Sequence, residues 1–139
     1  MANINSTAYN PKLLNFGLFI FRAFVGCTML THGIPKMMNL FSGEKIQFMN
    51  FLGLSSEISY GLVVFAEVVC SFLLILGLFT RIALIPLIIA MLVAVGFHWN
   101  EEFKEMEPAA FYLASYILLM ISGAGKISVD GMTEKKKNW

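Results

Sequence analysis

The sequence has little charge. Only 14% of its 139 residues are Asp, Glu, Lys or Arg, whereas 58% are hydrophobic and the mean hydropathy is +0.72. A soluble domain carries about 25% charged residues, because a small protein exposes much of its surface to water. The composition therefore excludes a soluble enzyme, and the 13 phenylalanines exclude a disordered chain. The apolar excess must face lipid or a partner.

Motifs for prosthetic groups are also absent. The two cysteines, Cys27 and Cys70, form no Cys-x-x-Cys pair, and the sequence has no iron–sulfur, haem or flavin motif. We expect both thiols to be inert, and leave open whether they ever form a disulfide. We predict no metal site, because His32 and His98 lack a metal-binding spacing and a third ligand. A net charge of +1, with no basic stripe beyond residues 135–137, predicts no nucleic-acid partner.

What the sequence does contain is long apolar runs. A helix that crosses a bilayer needs about 20 mostly apolar residues, and its backbone groups must bond to one another. We therefore predict an all-α fold, a four-transmembrane-helix bundle that forms a single membrane domain over residues 1–139. The predicted spans are about 13–32, 61–79, 82–99 and 109–125.

The connection between the first two spans is long and amphipathic. Residues 36–54 are rich in Phe and Met but are interrupted by polar side chains, so their apolar stretches are too short to cross a membrane. This pattern predicts an interfacial or re-entrant segment between helices 1 and 2.

Basic residues in the short loops predict the orientation. Lys and Arg are more numerous on the side that holds both chain ends, which places the N- and C-termini in the cytoplasm and the protein in the cytoplasmic (inner) membrane. Phe24 to Cys27 are weakly similar to a lipoprotein cleavage box. Phe24 fits that box poorly and only Lys12 charges the preceding region, so we expect an uncleaved first helix.

Two charges interrupt the spans. Arg22 and Glu67 each cost about 2.5–3.5 kcal/mol at mid-membrane unless they find a partner or water. We predict that they face each other across the bundle. The pair then either fixes the helix register or lines a ligand cavity. On this pairing, Glu67→Leu alone destabilises more than the double change of Glu67→Gln with Arg22→Met, because the single change strands Arg22.

Polar side chains recur on one face of each predicted helix, and none of these faces can point at lipid. We predict a pocket that opens to the outside, in which His98 or Tyr112 exchanges protons with a quinol-like ligand; alternatively, His98 only caps its helix. The candidate pocket residues are Arg22, His32, Lys36, Glu67, Ser71, His98, Tyr112 and Tyr116. No catalytic residue is assigned, and the sequence leaves open whether the chain is an enzyme.

Motifs in order along the chain resemble the DoxX family of small four-helix membrane proteins. Arg22 is followed by Thr-His-Gly-Ile-Pro-Lys at 31–36, and Glu67 by Leu-Gly-Leu-Phe-Thr-Arg at 76–81. Residues 123–130 match Gly-x-Gly-x-x-Ser-x-Asp, with Ala124 where the family usually has proline. The resemblance extends from about residue 13 to residue 130.

The resemblance implies a redox context. Family members are named for similarity to a subunit of an archaeal thiosulfate:quinone oxidoreductase, and others are associated with membrane redox complexes and oxidative-stress defence. It implies a redox-linked subunit that binds a quinone or small apolar ligand, with a membrane or peripheral redox protein as partner. The alternative is a noncatalytic scaffold or assembly factor of such a complex. The oligomeric state, including a homo-oligomer, stays open.

Overall fold

The computed structural model describes residues 8–100 and 102–137, and the side chains up to residue 134. Regular structure in this part of the chain is helical, which confirms the predicted all-α class. The helices are α1 Pro11–Phe41, α2 Ser56–Leu76, α3 Thr80–Phe97, α4 Phe103–Ser122 and α5 Val129–Lys137. By length and composition, α1, α2 and α3 can cross a membrane. The first turn of α4 carries Lys104 and Glu105, and its crossing stays a prediction.

Helix α1 is longer than its predicted span. It begins under a cap, because the Asn10 side chain accepts a hydrogen bond from the Lys12 N–H at 2.9 Å and Pro11 occupies the first turn. Instead of ending near residue 32, it continues through Pro35 to Phe41. A helix within a bundle tolerates proline when neighbouring groups compensate for the lost bond. Lys36 consequently lies on α1 and not in a connecting loop.

The remainder of the connection folds back over the bundle. It is irregular apart from a single 3₁₀ turn at Phe51–Gly53. The Ser56 hydroxyl donates to the Phe48 carbonyl at 2.8 Å, and the Phe48 ring meets the Tyr60 ring edge-on at 5.3 Å. The predicted interfacial segment therefore starts only after residue 41, and it packs on α2.

Helix α2 contains a π-helical turn, Phe65–Cys70, and ends at a left-handed glycine. The Gly77 N–H donates to Leu74 and the Leu78 N–H to Leu73, at 3.1 and 3.0 Å, which is the Schellman ending. The positive φ of Gly77, 66°, suits a residue without a side chain. This tight ending lets α3 begin three residues later and run antiparallel to α2.

The helices form one bundle around a buried apolar core. Helix α4 packs mainly on α3, and α1 packs on α2. The core side chains include Val25, Met29, Leu74, Leu84, Leu87, Tyr116 and Leu119. Because the Lys126 N–H donates to the Asn15 side chain at 2.7 Å, the start of α1 and the end of α4 lie together. We call this the terminal end of the bundle, and the end that carries residues 42–55 the loop end.

Candidate functional site

A buried ion pair lies toward the loop end. The Lys36 Nζ donates to Glu67 Oε1 at 2.6 Å. The Glu67 side chain is only 4% exposed, whereas that of Lys36 is 36% exposed. Glu67 Oε2 is buried and has no hydrogen-bond partner among the described residues. One acceptor oxygen of the carboxylate is therefore left unsatisfied by the described side chains.

Local backbone structure positions this pair. Glu67 lies in the π-helical turn of α2, a distortion that is frequent at functional sites. Helix α1 crosses it at Gly33, where an added Cβ would lie 2.9 Å from the Glu67 Cβ. The missing side chain at residue 33 therefore permits the close approach. Lys36 follows three residues later on the same helical face, and it therefore lies beside the Glu67 carboxylate.

A cavity of about 780 Å³ adjoins the ion pair. Lys36, Glu67 and His98 line it together with Gln47 from the connection, Ser56 at the start of α2 and apolar walls from α3. We call this space the polar cavity. It brings a cation, a carboxylate and an imidazole to a largely apolar space, an arrangement that suits a small apolar molecule with a polar head. Within residues 8–100 and 102–137, no three His, Cys, Asp or Glu side chains are placed to hold a metal ion.

Arg22 does not pair with Glu67, so that prediction is wrong. Its guanidinium donates to the carbonyls of Ala124 and Ile127, the latter at 3.0 Å. Arg22 precedes Gly33, the α1 residue beside Glu67, by three helical turns, or about 16 Å. An arginine side chain is too short for that gap. The prediction failed because α1 extends well beyond residue 32, which places Arg22 nearer the terminal end.

Arg22 instead belongs to a set of contacts that we call the terminal clasp, made by Arg22, Gly77, the start of α3 and residues 123–130. The Asp130 carboxylate accepts the N–H groups of Phe79 and Thr80, both at 2.8 Å, and the Asp130 N–H donates to Gly77 at 2.9 Å. An anion at the first turn of α3 complements the helix dipole. The clasp holds the chain beyond α4 against the α2–α3 turn.

The clasp contributes stability that depends on pH. Burial by itself raises the pKa of Asp130, but the hydrogen bonds from Thr80 and Phe79 and the charge of Arg22 outweigh it, so the pKa lies below its ordinary value. Such a carboxyl stabilises the fold above its unfolded pKa, and the contribution is lost as the pH falls through the folded pKa.

We therefore expect Asp130→Asn to lower the Tm at pH 7, by about 4 °C for a lost cap of about 1 kcal/mol. The difference from wild type should shrink below about pH 4, where the wild-type carboxyl also takes up a proton. Thermal melts in one detergent across pH measure it, with Glu134→Gln, an exposed carboxyl on the same helix, as control. A constant difference at every pH would contradict the assignment.

The remaining predicted pocket residues do not line the polar cavity. His32 is exposed and meets the Tyr112 ring edge-on at 5.9 Å, and Tyr112 stacks on Tyr116 at 6.1 Å. The buried Tyr116 hydroxyl lies beside that of Ser71. The structure therefore divides the predicted pocket into the polar cavity, the terminal clasp and this row between α1, α2 and α4. Cys27 is exposed and Cys70 buried, and both are free thiols.

Sequence reasoning missed several functional contacts. Gln47 and Ser56 were not singled out, because a loop that folds back over a bundle leaves no periodic signal. Asp130 was noticed only as the last residue of a motif. Its pairing with the α2–α3 turn could have been sought, since the turn's free N–H groups need an acceptor.

The part of the chain that matches a known family includes the residues that line the polar cavity. The DoxX family model matches residues 17–99, a range that includes Arg22, Lys36, Glu67 and His98 but not residues 123–130 of the clasp. No curated protein and no solved structure matches the chain.

Proposed function

Because the chain belongs to the DoxX family of membrane proteins, we propose that it binds a quinone or a similar small apolar molecule in the polar cavity, as a redox-linked subunit of a membrane complex. Lys36, Glu67 and His98 contact the polar head of the ligand. Met91 and Ala94 belong to the apolar wall that receives its ring.

This proposal is supported mainly by the second carboxylate oxygen of Glu67, Oε2, which is buried without a hydrogen-bond partner among the described residues. A buried acceptor without a partner costs about 1–3 kcal/mol, and more when it is charged. A quinol hydroxyl donates to Glu67 Oε2, and the Lys36 ammonium donates to an oxygen of the same head. The cavity volume, about 780 Å³, lies within the range of about 300–1,000 Å³ typical of small-molecule sites.

The second cavity of similar size, about 740 Å³ at the terminal end, offers less. Its two side chains that reach between elements already have partners, since Asn15 accepts the Lys126 N–H and Asp130 accepts N–H groups at the start of α3. We therefore place the ligand at the loop end. With the termini in the cytoplasm, as the basic residues favour, the polar cavity opens toward the outer side of the inner membrane.

The proposal assigns this chain ligand binding and proton exchange. Oxidation of a quinol releases two protons and two electrons. The His98 imidazole accepts the protons one after the other, and releases the first to water before it takes up the second. The sequence has no haem, flavin or iron–sulfur motif. We accordingly assign the electrons to a partner protein, either within the membrane or at its surface.

The proposal is tested with a quinol that has no tail, 2,3-dimethoxy-5-methyl-1,4-benzoquinol, kept reduced in the absence of oxygen. Its affinity for the purified protein is measured by isothermal titration calorimetry in one detergent. We expect Glu67→Gln to weaken binding by about tenfold or more, because a charged hydrogen bond is lost. Glu57→Gln, an exposed carboxyl on the same helix, should bind like wild type.

A matched assay with a known quinone-binding enzyme confirms that the detergent permits binding. Each variant is first shown by a thermal melt to be folded. If wild type shows no binding while the enzyme does, the proposal is wrong. The polar interior then only holds the bundle together, as in a noncatalytic scaffold or assembly factor.

A further inference from the structure

A second, smaller space continues from the polar cavity. It is a groove of about 290 Å³ between α2 and α3. Five residues line both spaces, namely Phe48, Met49, Val63, Ala90 and Val93. A molecule seated in the polar cavity can therefore extend into this groove without crossing a helix.

The groove is apolar. Among the residues that line it, Ser59 alone carries a polar side chain, and its hydroxyl already accepts the Phe51 N–H at 3.0 Å. The polar side chain that lines the groove therefore already has a hydrogen-bond partner. The groove is suited to a hydrocarbon chain, whereas the polar cavity is suited to a head.

The mouth of the groove faces the apolar surface of the bundle. Leu62, Phe65 and Ile89 line it, and all three are about half exposed. Large apolar side chains on membrane helices face lipid when they are exposed. A chain in this groove is thus reached sideways from the bilayer.

We propose that the natural ligand is a lipid-soluble amphiphile whose apolar chain lies in the α2–α3 groove while its head lies in the polar cavity. This inference rests on the proposed function and narrows its ligand class. A long-tailed quinone fits it, whereas a water-soluble head group alone leaves the groove empty. The ligand enters laterally between α2 and α3, below the connection that carries Phe48 and Met49.

The test compares two probes on matched variants. The probes are the tailless benzoquinol used above and the same head with a ten-carbon chain. Ile89→Trp fills the groove from its rim, while Ile85→Trp adds the same ring one turn away on α3, outside both cavities. Ile89 and Ile85 are 46% and 51% exposed, so neither change disturbs the core.

We expect Ile89→Trp to weaken binding of the ten-carbon probe by about tenfold, or about 1.4 kcal/mol, and to leave the tailless probe within about twofold. Ile85→Trp should change neither affinity, and a ratio between variants in one detergent cancels partitioning of the tail. If wild type binds both probes and Ile89→Trp alters neither, the tail lies elsewhere and only this inference fails. If wild type binds neither probe, the proposed function itself fails.

Discussion

Replacing Arg22 with methionine is expected to lower the free energy of unfolding by about 3 kcal/mol, or roughly 10 °C in Tm. The guanidinium is buried and donates to the carbonyls of Ala124 and Ile127. Hydrogen bonds to charged groups contribute about 1.5–3 kcal/mol each, and the change removes the donor of both carbonyls. The loss should loosen the chain after α4 before it affects the rest of the bundle.

Thermal melts in one detergent measure the loss, and proteolysis after α4 locates it. Arg22→Lys keeps the charge but cannot reach two carbonyls at once, so an intermediate Tm is expected. Arg81→Met removes an exposed arginine at the same end and should change little. If Arg22→Met melted like wild type, Arg22 would not hold the clasp.

The second large effect concerns Lys36. Lys36→Met is expected to destabilise the protein by about 3 kcal/mol, because it leaves the buried Glu67 carboxylate without its counter-charge. Glu67→Leu should cost less. The lysine that it strands is 36% exposed and can extend to water, whereas the Glu67 side chain is 4% exposed.

A double-mutant cycle separates the pair from its surroundings. Lys36→Met combined with Glu67→Leu should be more stable than Lys36→Met alone, since no buried charge remains. Lys45→Met, an exposed lysine in the connection, serves as the control. If the two single losses simply added in the double variant, the ion pair would have no energetic role. If Glu67 were paired with Arg22 instead, as the sequence suggested, then adding Arg22→Met to Glu67→Leu would restore stability.

Much of the fold could be predicted from the sequence because a membrane restricts the choices. Apolar run length identified each long helix, since a backbone in lipid must bond to itself. The helix ends were harder. The first span was predicted to end near residue 32 with its apolar run, yet α1 continues through Pro35 to Phe41.

The site was predicted in part. Lys36, Glu67 and His98 were chosen because polar groups in a membrane need partners, and the structure brings these three together. The partner of each charge could not be predicted. Which charges meet is decided by how deep each one lies along its helix. The depth of Arg22 and Lys36 depends on where α1 ends, and the sequence did not mark that end. The π turn at Glu67 and the folded-back connection are also set by tertiary packing.

We propose that the polar cavity holds a small apolar molecule with a polar head. To test this claim, the protein is purified in a mild detergent and extracted with organic solvent, and the extract is quantified by mass spectrometry. We predict that one quinone-like amphiphile accompanies wild type and Glu57→Gln in near-equal molar amount and is depleted from folded Glu67→Gln. Equal recovery from Glu67→Gln, or no such molecule with wild type, would contradict the claim.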